Sequence, residues 1–426
     1  MRILAVEPYT RTPGHFDWFA TRTCGGLARR GHQVTLVTYG GLAAVSLPGI
    51  TPFRVVDAAR ESDADLDARI LQDKIDRGSW RATTWRRSRE LRTFRHALSL
   101  MPEEGFDVVH FLDSELVLLV LALRTMVKRR DAEQIAIVAN LHEASRLIRP
   151  ARRLRASAHN AIYPYVLRRL IKEDLDALIV LDDLLKSELL NRLKLSGPAG
   201  NKVHVLPLGM DEPQDVSYKE GARRRLNLSQ DETVFLLFGG LRKDKRIDVA
   251  LEAIKGLPSC RLLIAGERDD YDAAAVQELI RTHGCENSVS TEIRYIDEDR
   301  MHDYFLACDA VILPYAADFQ GQSGILTKAC SHGKCVIASD VAAVGKTVRE
   351  AGIGLVVEPE SANRLKEAIN TFLLLKPEDR VQMEANSRSL ASAKSWNSVC
   401  SQLEDIYSQI LNRKRGRAIV NRASAH

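Results

Sequence analysis

Short apolar runs alternate with amphipathic stretches along the whole chain. In the first half the runs are "RILAVEP" (2–8), "QVTLVTY" (33–39), "FRVVD" (53–57), "DVVHFLD" (107–113), "IAIVANLH" (135–142), "ALIVLDD" (177–183) and "VHVLPLG" (203–209). In the second half they are "TVFLLFG" (233–239), "RLLIAGE" (261–267), "STEIRYI" (290–296), "AVILPY" (310–315), "CVIASD" (335–340) and "GLVVEP" (354–359). Apolar cores of four or five residues, many of them β-branched, fit strands buried on both faces. Strands separated by helical patterns predict parallel sheets wrapped by helices. The expected fold class is therefore α/β, with two Rossmann-like βαβ domains facing each other across a cleft.

A polar stretch without a strand, "GMDEPQDVSYKEGARRRLNLSQDE" (209–232), separates the two series. The expected organisation is an N-terminal domain over 1–210, a linker over 211–232 and a second domain over 233–395. A helix over 396–412 then crosses back to the first domain, and a basic, frayed tail occupies 413–426. Helices are expected over about 362–375, 379–390 and 396–412. Ligands in such sheets bind at the C-terminal ends of the strands, which directs the search for chemistry to the loops there.

Composition narrows the class. The chain has 426 residues, 45% hydrophobic and 27% charged, as in an ordinary globular protein. No apolar run approaches the roughly 20 residues that span a bilayer; "LVLLVLALRTMV" (116–127) is broken by Arg124. The N-terminus lacks an apolar segment followed by a cleavage site. Seven cysteines, with no CxxC pair, read as reduced and mostly buried thiols in the cytosol, and no zinc site is suggested. The net charge of +5 is uneven: residues 1–210 hold 32 Lys and Arg against 24 Asp and Glu, whereas residues 211–426 hold 29 against 32. The excess lies in "RGSWRATTWRRSRELRTFR" (77–95), with seven arginines and one glutamate.

Three loops carry candidate chemistry. In "FLLFGGLRKDKRIDVAL" (235–251), Gly239 and Gly240 let backbone approach a ligand, and the following helix is expected to open near Asp244. Arg242 supplies a planar fork and Lys245 a compact charge, a pairing suited to a diphosphate. Lys243 and Arg246 are expected to be solvated. In "YAADFQGQSGILTKACSHGKCVIASD" (315–340), Ser323 can cap a helix running to about His332, with Gly333 as the left-handed residue after it. The amides of Ser323, Gly324 and Ile325 then form a second anion-receiving helix start. In the first half, the loop "EPYTRTPGHF" (7–16) holds Gly14, and "VANLHEAS" (138–145) sets His142 and Glu143 at a strand end.

Together these motifs resemble the GT-B glycosyltransferases of family 4, the retaining, metal-independent group 1 type. The resemblance covers essentially the whole chain. "FGGLRKDKRID" is similar to the family's Gly-x-Leu-Arg-x-x-Lys diphosphate loop, "VANLHE" to its strand ending in His-Asp, and "ACDAVILPY" with "SGILTKACSHGKCVIASD" to its donor-binding helix. The resemblance implies transfer of a sugar from a nucleotide-sugar donor, UDP before GDP, to an acceptor glycan, glycolipid or small molecule, in glycan, polysaccharide or glycolipid biosynthesis. It implies no cofactor and no metal, the nucleotide sugar being a substrate. Arg242 and Lys245 would stabilise the leaving diphosphate, with Gly14, Gly240 and the Ser323–Ile325 amides around it, and His142 would line the reacting centre. The family's two glutamates, eight positions apart, fall at Gln320 and Lys328; Gln320 or Gln322 would bond the donor sugar, while Lys328 would meet a phosphate or point to solvent. Trp80, Trp85, Arg86 and Arg87, with Phe94, suggest an acceptor or anionic-membrane surface on a cytosolic protein, against the alternative of a solvated helix face that packs its few aromatics inward; no nucleic-acid module accompanies them.

Other classes are held against this reading. An Asp-x-Asp of a metal-dependent transferase occurs in "SDADLDA" (62–68), but no strand closely precedes it. The G-x-G-x-x-G of a dehydrogenase is missing after residues 8 and 239. A nucleotide-sugar epimerase, or a non-catalytic binding or scaffold subunit of the same fold, stays open because both glutamates are replaced.

Overall fold

The computed structural model describes residues 1–8, 15–39, 53–58, 80–113, 134–142, 163–213 and 218–423; the side chains of 15, 16, 80–88, 102, 103 and 418–423 are outside that description. Two sheets organise it. The first contains β1 (Arg2–Glu7), β2 (Gln33–Thr38), β3 (Phe53–Asp57), β4 (Val108–Phe111), β5 (Ala136–Leu141), β6 (Ala177–Val180) and β7 (Val203–Val205), in the order β3-β2-β1-β4-β5-β6-β7. The second contains β8 (Thr233–Phe238), β9 (Cys260–Gly266), β10 (Val289–Ile293), β11 (Ala310–Leu313), β12 (Cys335–Ser339) and β13 (Gly354–Val357), in the order β10-β9-β8-β11-β12-β13. Every pairing is parallel. Each sheet reverses its strand order once, between β1 and β4 and between β8 and β11. Such a reversal opens a crevice at the strand ends where connections leave toward opposite faces.

All of the expected strands form, several of them shorter. β7 stops at Val205 rather than 209, because Pro207 has no N–H for a ladder and the N–H of Leu208 is given to Gln322 Oε1 at 3.2 Å. β11 stops just before Pro314 for the same reason. The cores are those of strands covered on both faces. In the second sheet Leu236, Phe238, Val311 and Val336 pack into one apolar cluster, and Phe235, Leu237, Ile312 and Ile337 into another.

The chain divides into two compact units, Met1–Pro207 with Trp396–His426, and Leu208–Ser395. The stretch expected as a linker over 211–232 is part of the second unit where it is described. It forms the helix Lys219–Arg225, and Arg223, only 3% exposed, locks it down. Its guanidinium donates to the carbonyls of Ala307, Ser229 and Gln230 at 3.0, 3.1 and 2.8 Å and to Asp309 at 2.7 Å. A polar composition reads as a tether until the partners of one buried arginine are known.

The last helix is longer than expected, Trp396–Ala423, so residues 413–423 continue it instead of fraying. It belongs to the first unit, where it packs against the helix His15–Arg29. Gly26 permits this: a Cβ there would lie 2.4 Å from Cys400 Sγ. Arg30 Nε donates to Glu404 at 2.7 Å. Below, Tyr407 O–H meets His110 Nδ1 at 2.6 Å, and His110 Nε2 meets Asn140 Oδ1 at 2.8 Å. Burial pushes His110 down to about 4, so the ring is neutral at ordinary pH. With Nε2–H donating to the amide oxygen, Nδ1 accepts from the tyrosine. All seven cysteines are buried and unpaired. Among the described residues no helix is long and apolar enough to cross a membrane.

Candidate active site

At the β8/β11 reversal the chain leaves β8 through Gly239, whose φ of 92° is a conformation that side chains resist. Its N–H still donates to Ala265 O at 2.8 Å, holding the loop against β9. A Cβ on Gly239 would lie 2.9 Å from Lys245 Nζ and 3.1 Å from Ile325 Cδ1. The glycine is therefore the point where the loop after β8 touches the loop after β11. Gly239 and Ile325, 86 positions apart in sequence, meet there because β8 and β11 are neighbours in the sheet.

The helix expected to open near Asp244 starts later. Lys243–Lys245 form one 3-10 turn, Arg246 turns left-handed at φ 44°, and the α-helix runs over Ile247–Ile254. The extra turn folds Lys245 inward, to 6% exposure, where Nζ donates to the carbonyl oxygen of Phe238. Burial, followed by the charge of Arg242, pushes its ammonium down to about 7. Arg242 stays 45% exposed and pairs with Asp244 through Nε and Nη2 at 3.0 and 2.9 Å. Burial opposes its charge, but Asp244 outweighs that and holds the guanidinium above its ordinary value. Lys243 is exposed, as expected. Arg246 is not simply solvated: it grips Asp248 at 3.0 and 2.8 Å and Glu360 at 2.8 Å, anchoring its strained residue.

The second loop closes on the first. Ala316 N donates to Asp244 O at 2.8 Å. Tyr315 and Phe319 stack at 4.1 Å, and the Tyr315 hydroxyl lies 2.7 Å from Ser323 Oγ. Ser323 caps the helix Gly324–Ser331, its Oγ accepting from Leu326 N at 3.1 Å, and Gly333 is left-handed at φ 58°. By helix geometry the first amides point out of the start of the helix, on the side where Ile325 meets Gly239. Gly239, Gly240, Lys245 and the Ser323–Ile325 helix start thus converge, with Arg242 at their rim. A buried ammonium, an exposed guanidinium and a helix start make a site for a polyanion. Among the described residues no group of three His, Cys, Asp or Glu side chains is placed to hold a metal ion.

Comparison with known proteins sorts the chain. The model of Glycosyl transferases group 1 matches residues 219–390, and that of Glycosyltransferase Family 4 matches residues 18–213. With the two models together matching most of its length, the chain belongs to the group 1, family 4 glycosyltransferase family. A D-inositol 3-phosphate glycosyltransferase of Xylanimonas cellulosilytica is 24% identical over 236 residues, 53% of this chain and 55% of the relative. A lipopolysaccharide 1,2-N-acetylglucosaminetransferase of Salmonella typhimurium is 27% identical over 305 residues, 67% and 75%. The match thus spans only about half the length of the first of these relatives. Among solved structures, sucrose-phosphate synthase of Thermosynechococcus elongatus gives a TM-score of 0.72 at 18% identity, covering 97% of this chain and 99% of the other. HepE of Anabaena in complex with UDP gives 0.70 at 16% identity, covering 96% and 100%. At such identities these two establish the fold, GT-B.

In this family 4 member several of the expected site residues have partners of their own. Lys328 does not point to open solvent: at 12% exposure its Nζ binds Asp211 at 2.6 Å and Glu298 at 3.2 Å. The cation tethers the 208–213 segment to the helix Gly324–Ser331, helped by Ser331 Oγ donating to Asp211 O at 2.8 Å. Gln322 Oε1 accepts from Leu208 N at 3.2 Å, so that oxygen is engaged with backbone. Gln320 is half-buried in the same loop. In the first unit His142 follows β5; its Nε2 donates to Leu112 O at 2.8 Å, and its ring meets Phe19 edge-on at 4.8 Å. Gly14 and Glu143 lie outside the described residues. Trp80, Trp85, Arg86 and Arg87 sit on the helix Trp80–Glu104, but their side chains lie outside the description. Phe94 is no surface residue: it is fully buried against Phe111 at 5.3 Å.

Sequence reading missed Asp244, Asp269 and Tyr315. Asp244 had a signal, a carboxylate two positions from a candidate phosphate-binding arginine. Asp269 had none, since it reaches Gly240 (Oδ2 would lie 3.6 Å from a Cβ there) only through the bridge between Leu241 and Arg268.

Proposed function

We propose that this chain transfers a sugar, with retention at the anomeric carbon, from a nucleoside diphosphate sugar to an acceptor hydroxyl in glycan, polysaccharide or glycolipid synthesis. The observation that carries the reading is the convergence of the Gly239–Gly240 loop, Lys245, Arg242 and the capped start of Gly324–Ser331 at the β8/β11 reversal. As the glycosidic C–O bond breaks, charge builds on the departing diphosphate. A guanidinium, an ammonium and oriented amides already in place stabilise that charge without reorganising, in the role that a divalent cation plays in other transferases. The similar HepE structure holds UDP, which favours a uridine donor, and the similar Salmonella enzyme is named for a lipopolysaccharide acceptor. His142, at a strand end of the first unit, orients the reacting sugar or acceptor.

The test is thermal shift with UDP, GDP, ADP and dTDP, with and without EDTA, on the wild type and on Arg242→Ala. One diphosphate at about 100 times its Kd should stabilise the wild type by roughly 2.7 kcal/mol, regardless of EDTA, and the variant far less. No shift with any of the four removes the donor-site reading. Proton NMR of the product then gives the anomeric configuration, and an inverted product would refute retention.

A non-catalytic binding subunit is the second reading, because Lys328 and Gln322 are committed to Asp211, Glu298 and Leu208. It is favoured if a nucleotide sugar binds tightly and neither transfer nor hydrolysis follows.

A further inference from the structure

The exposed cation of the diphosphate loop already has an anionic partner from its own turn. Asp244 takes two N–H groups on one edge of Arg242, Nε and Nη2, at 3.0 and 2.9 Å. This parallel two-bond geometry is the one by which a guanidinium receives either a carboxylate or a phosphate. Arg242 and Asp244 are two residues apart on opposite sides of Lys243, so little additional chain is ordered by the pairing. The negative charges of Asp244 and Asp269 also act on both Arg242 and Lys245. The two cations differ in freedom. Lys245 is buried at 6% exposure and held by Phe238 O, whereas Arg242, at 45%, has room to exchange partners.

We propose that Asp244 competes intramolecularly with the donor's diphosphate for Arg242, thereby setting nucleotide affinity and hastening product release. This inference rests on the glycosyltransferase reading above. When a diphosphate arrives, Lys245 and the helix start receive it, and Arg242 moves from carboxylate to phosphate. After transfer the nucleoside diphosphate carries more charge than the donor did and would be held more tightly by the same groups. The return of Arg242 to Asp244 lowers that hold. An orienting role for Asp244, fixing the guanidinium for phosphate, makes the opposite prediction about affinity.

Calorimetric titration with UDP and with inorganic pyrophosphate, on wild type, Asp244→Asn, Arg242→Ala and the double variant, decides between them. Competition predicts that Asp244→Asn lowers Kd for both ligands, roughly three- to tenfold, as expected for removing an exposed ion pair and a nearby like charge. In the Arg242→Ala background the same change should alter Kd by less than about twofold. In steady-state transfer, KM and kcat of Asp244→Asn should fall together as product leaves more slowly. Unchanged or weaker binding by Asp244→Asn, in a protein melting within about 2 °C of wild type, overturns the proposal. So does a gain that persists without Arg242. Asp244→Ser is read in the same way if the amide variant folds poorly. If neither ligand, nor GDP, ADP or dTDP, binds the wild type or any variant, the nucleotide-sugar reading fails and the competition with it. That outcome is distinct from equal binding by wild type and variant.

Discussion

Raising the pH from 7 to 9 should weaken nucleoside diphosphate binding because it removes the proton from Lys245. Burial among β8, Gly239 and Ile325 brings this ammonium down to about 7, so about half of the molecules carry the charge at neutral pH. A bound diphosphate favours the charged form, and binding above pH 7 therefore takes up a proton. Each pH unit above 7 then costs about 1.4 kcal/mol of binding, and Kd rises toward about tenfold per unit, approaching two orders of magnitude between the low-pH limit and pH 9. The terminal phosphate of UDP, with a second pKa near 6, is about nine-tenths ionised at pH 7 and almost fully so from pH 8, so its own proton release trims the uptake by about 0.1 at pH 7 and does not mask the effect. Calorimetry at pH 7 and 8 in two buffers of different ionisation enthalpy counts the protons directly: a net uptake of roughly 0.4 is expected per UDP at pH 7 and roughly 0.9 at pH 8. Lys245→Met should bind weakly, with no uptake and a flat profile. A Kd independent of pH from 7 to 9, or proton release on binding, would refute both the burial argument and the contact between Lys245 and phosphate.

Other parts of the structure make equally direct claims. Arg242→Ala should leave thermal stability within about 0.5 kcal/mol of wild type, since the residue is half-exposed, yet weaken UDP binding at least tenfold by titration. Ser323→Ala removes the cap of the donor-side helix and the partner of Tyr315; denaturant melts should show a loss of about 1 kcal/mol. Lys328→Met leaves Asp211 and Glu298 side by side without their cation and should cost about 2 kcal/mol in the same assay. A neutral or stabilising result there would mean that the triad does not secure the 208–213 segment. Tyr407→Phe strands His110 Nδ1 inside the first unit and should lower stability by about 1–2 kcal/mol.

By itself the sequence determined the fold class, the two series of strands and their parallel pairing. Strands buried on both faces must be apolar at nearly every position, and amphipathic helices between them enforce parallel pairing, so the pattern and its periodicity carry the architecture. The loop proposed to receive a diphosphate stood out as well, because two adjacent glycines, an arginine and a lysine sit within seven residues at a strand end. What the sequence left open were contacts across long separations. Lys328 reads as a cation facing solvent until Asp211, 117 positions away, is found at 2.6 Å. The segment 211–232 reads as a tether until Arg223 is seen buried against the carbonyl of Ala307 and the carboxylate of Asp309. Whether Phe94 joins a basic surface or packs inward stays open until β4 supplies Phe111 beneath it. Lys245 reads as a charged lysine until the 3-10 turn folds it under Gly239, where burial rather than residue type sets its proton affinity. Local pattern fixes which segments become strands and helices, because backbone hydrogen bonding and one-sided burial are local demands. Which charges are paired, buried or left to meet a ligand depends on strand order, and only the tertiary structure supplies that.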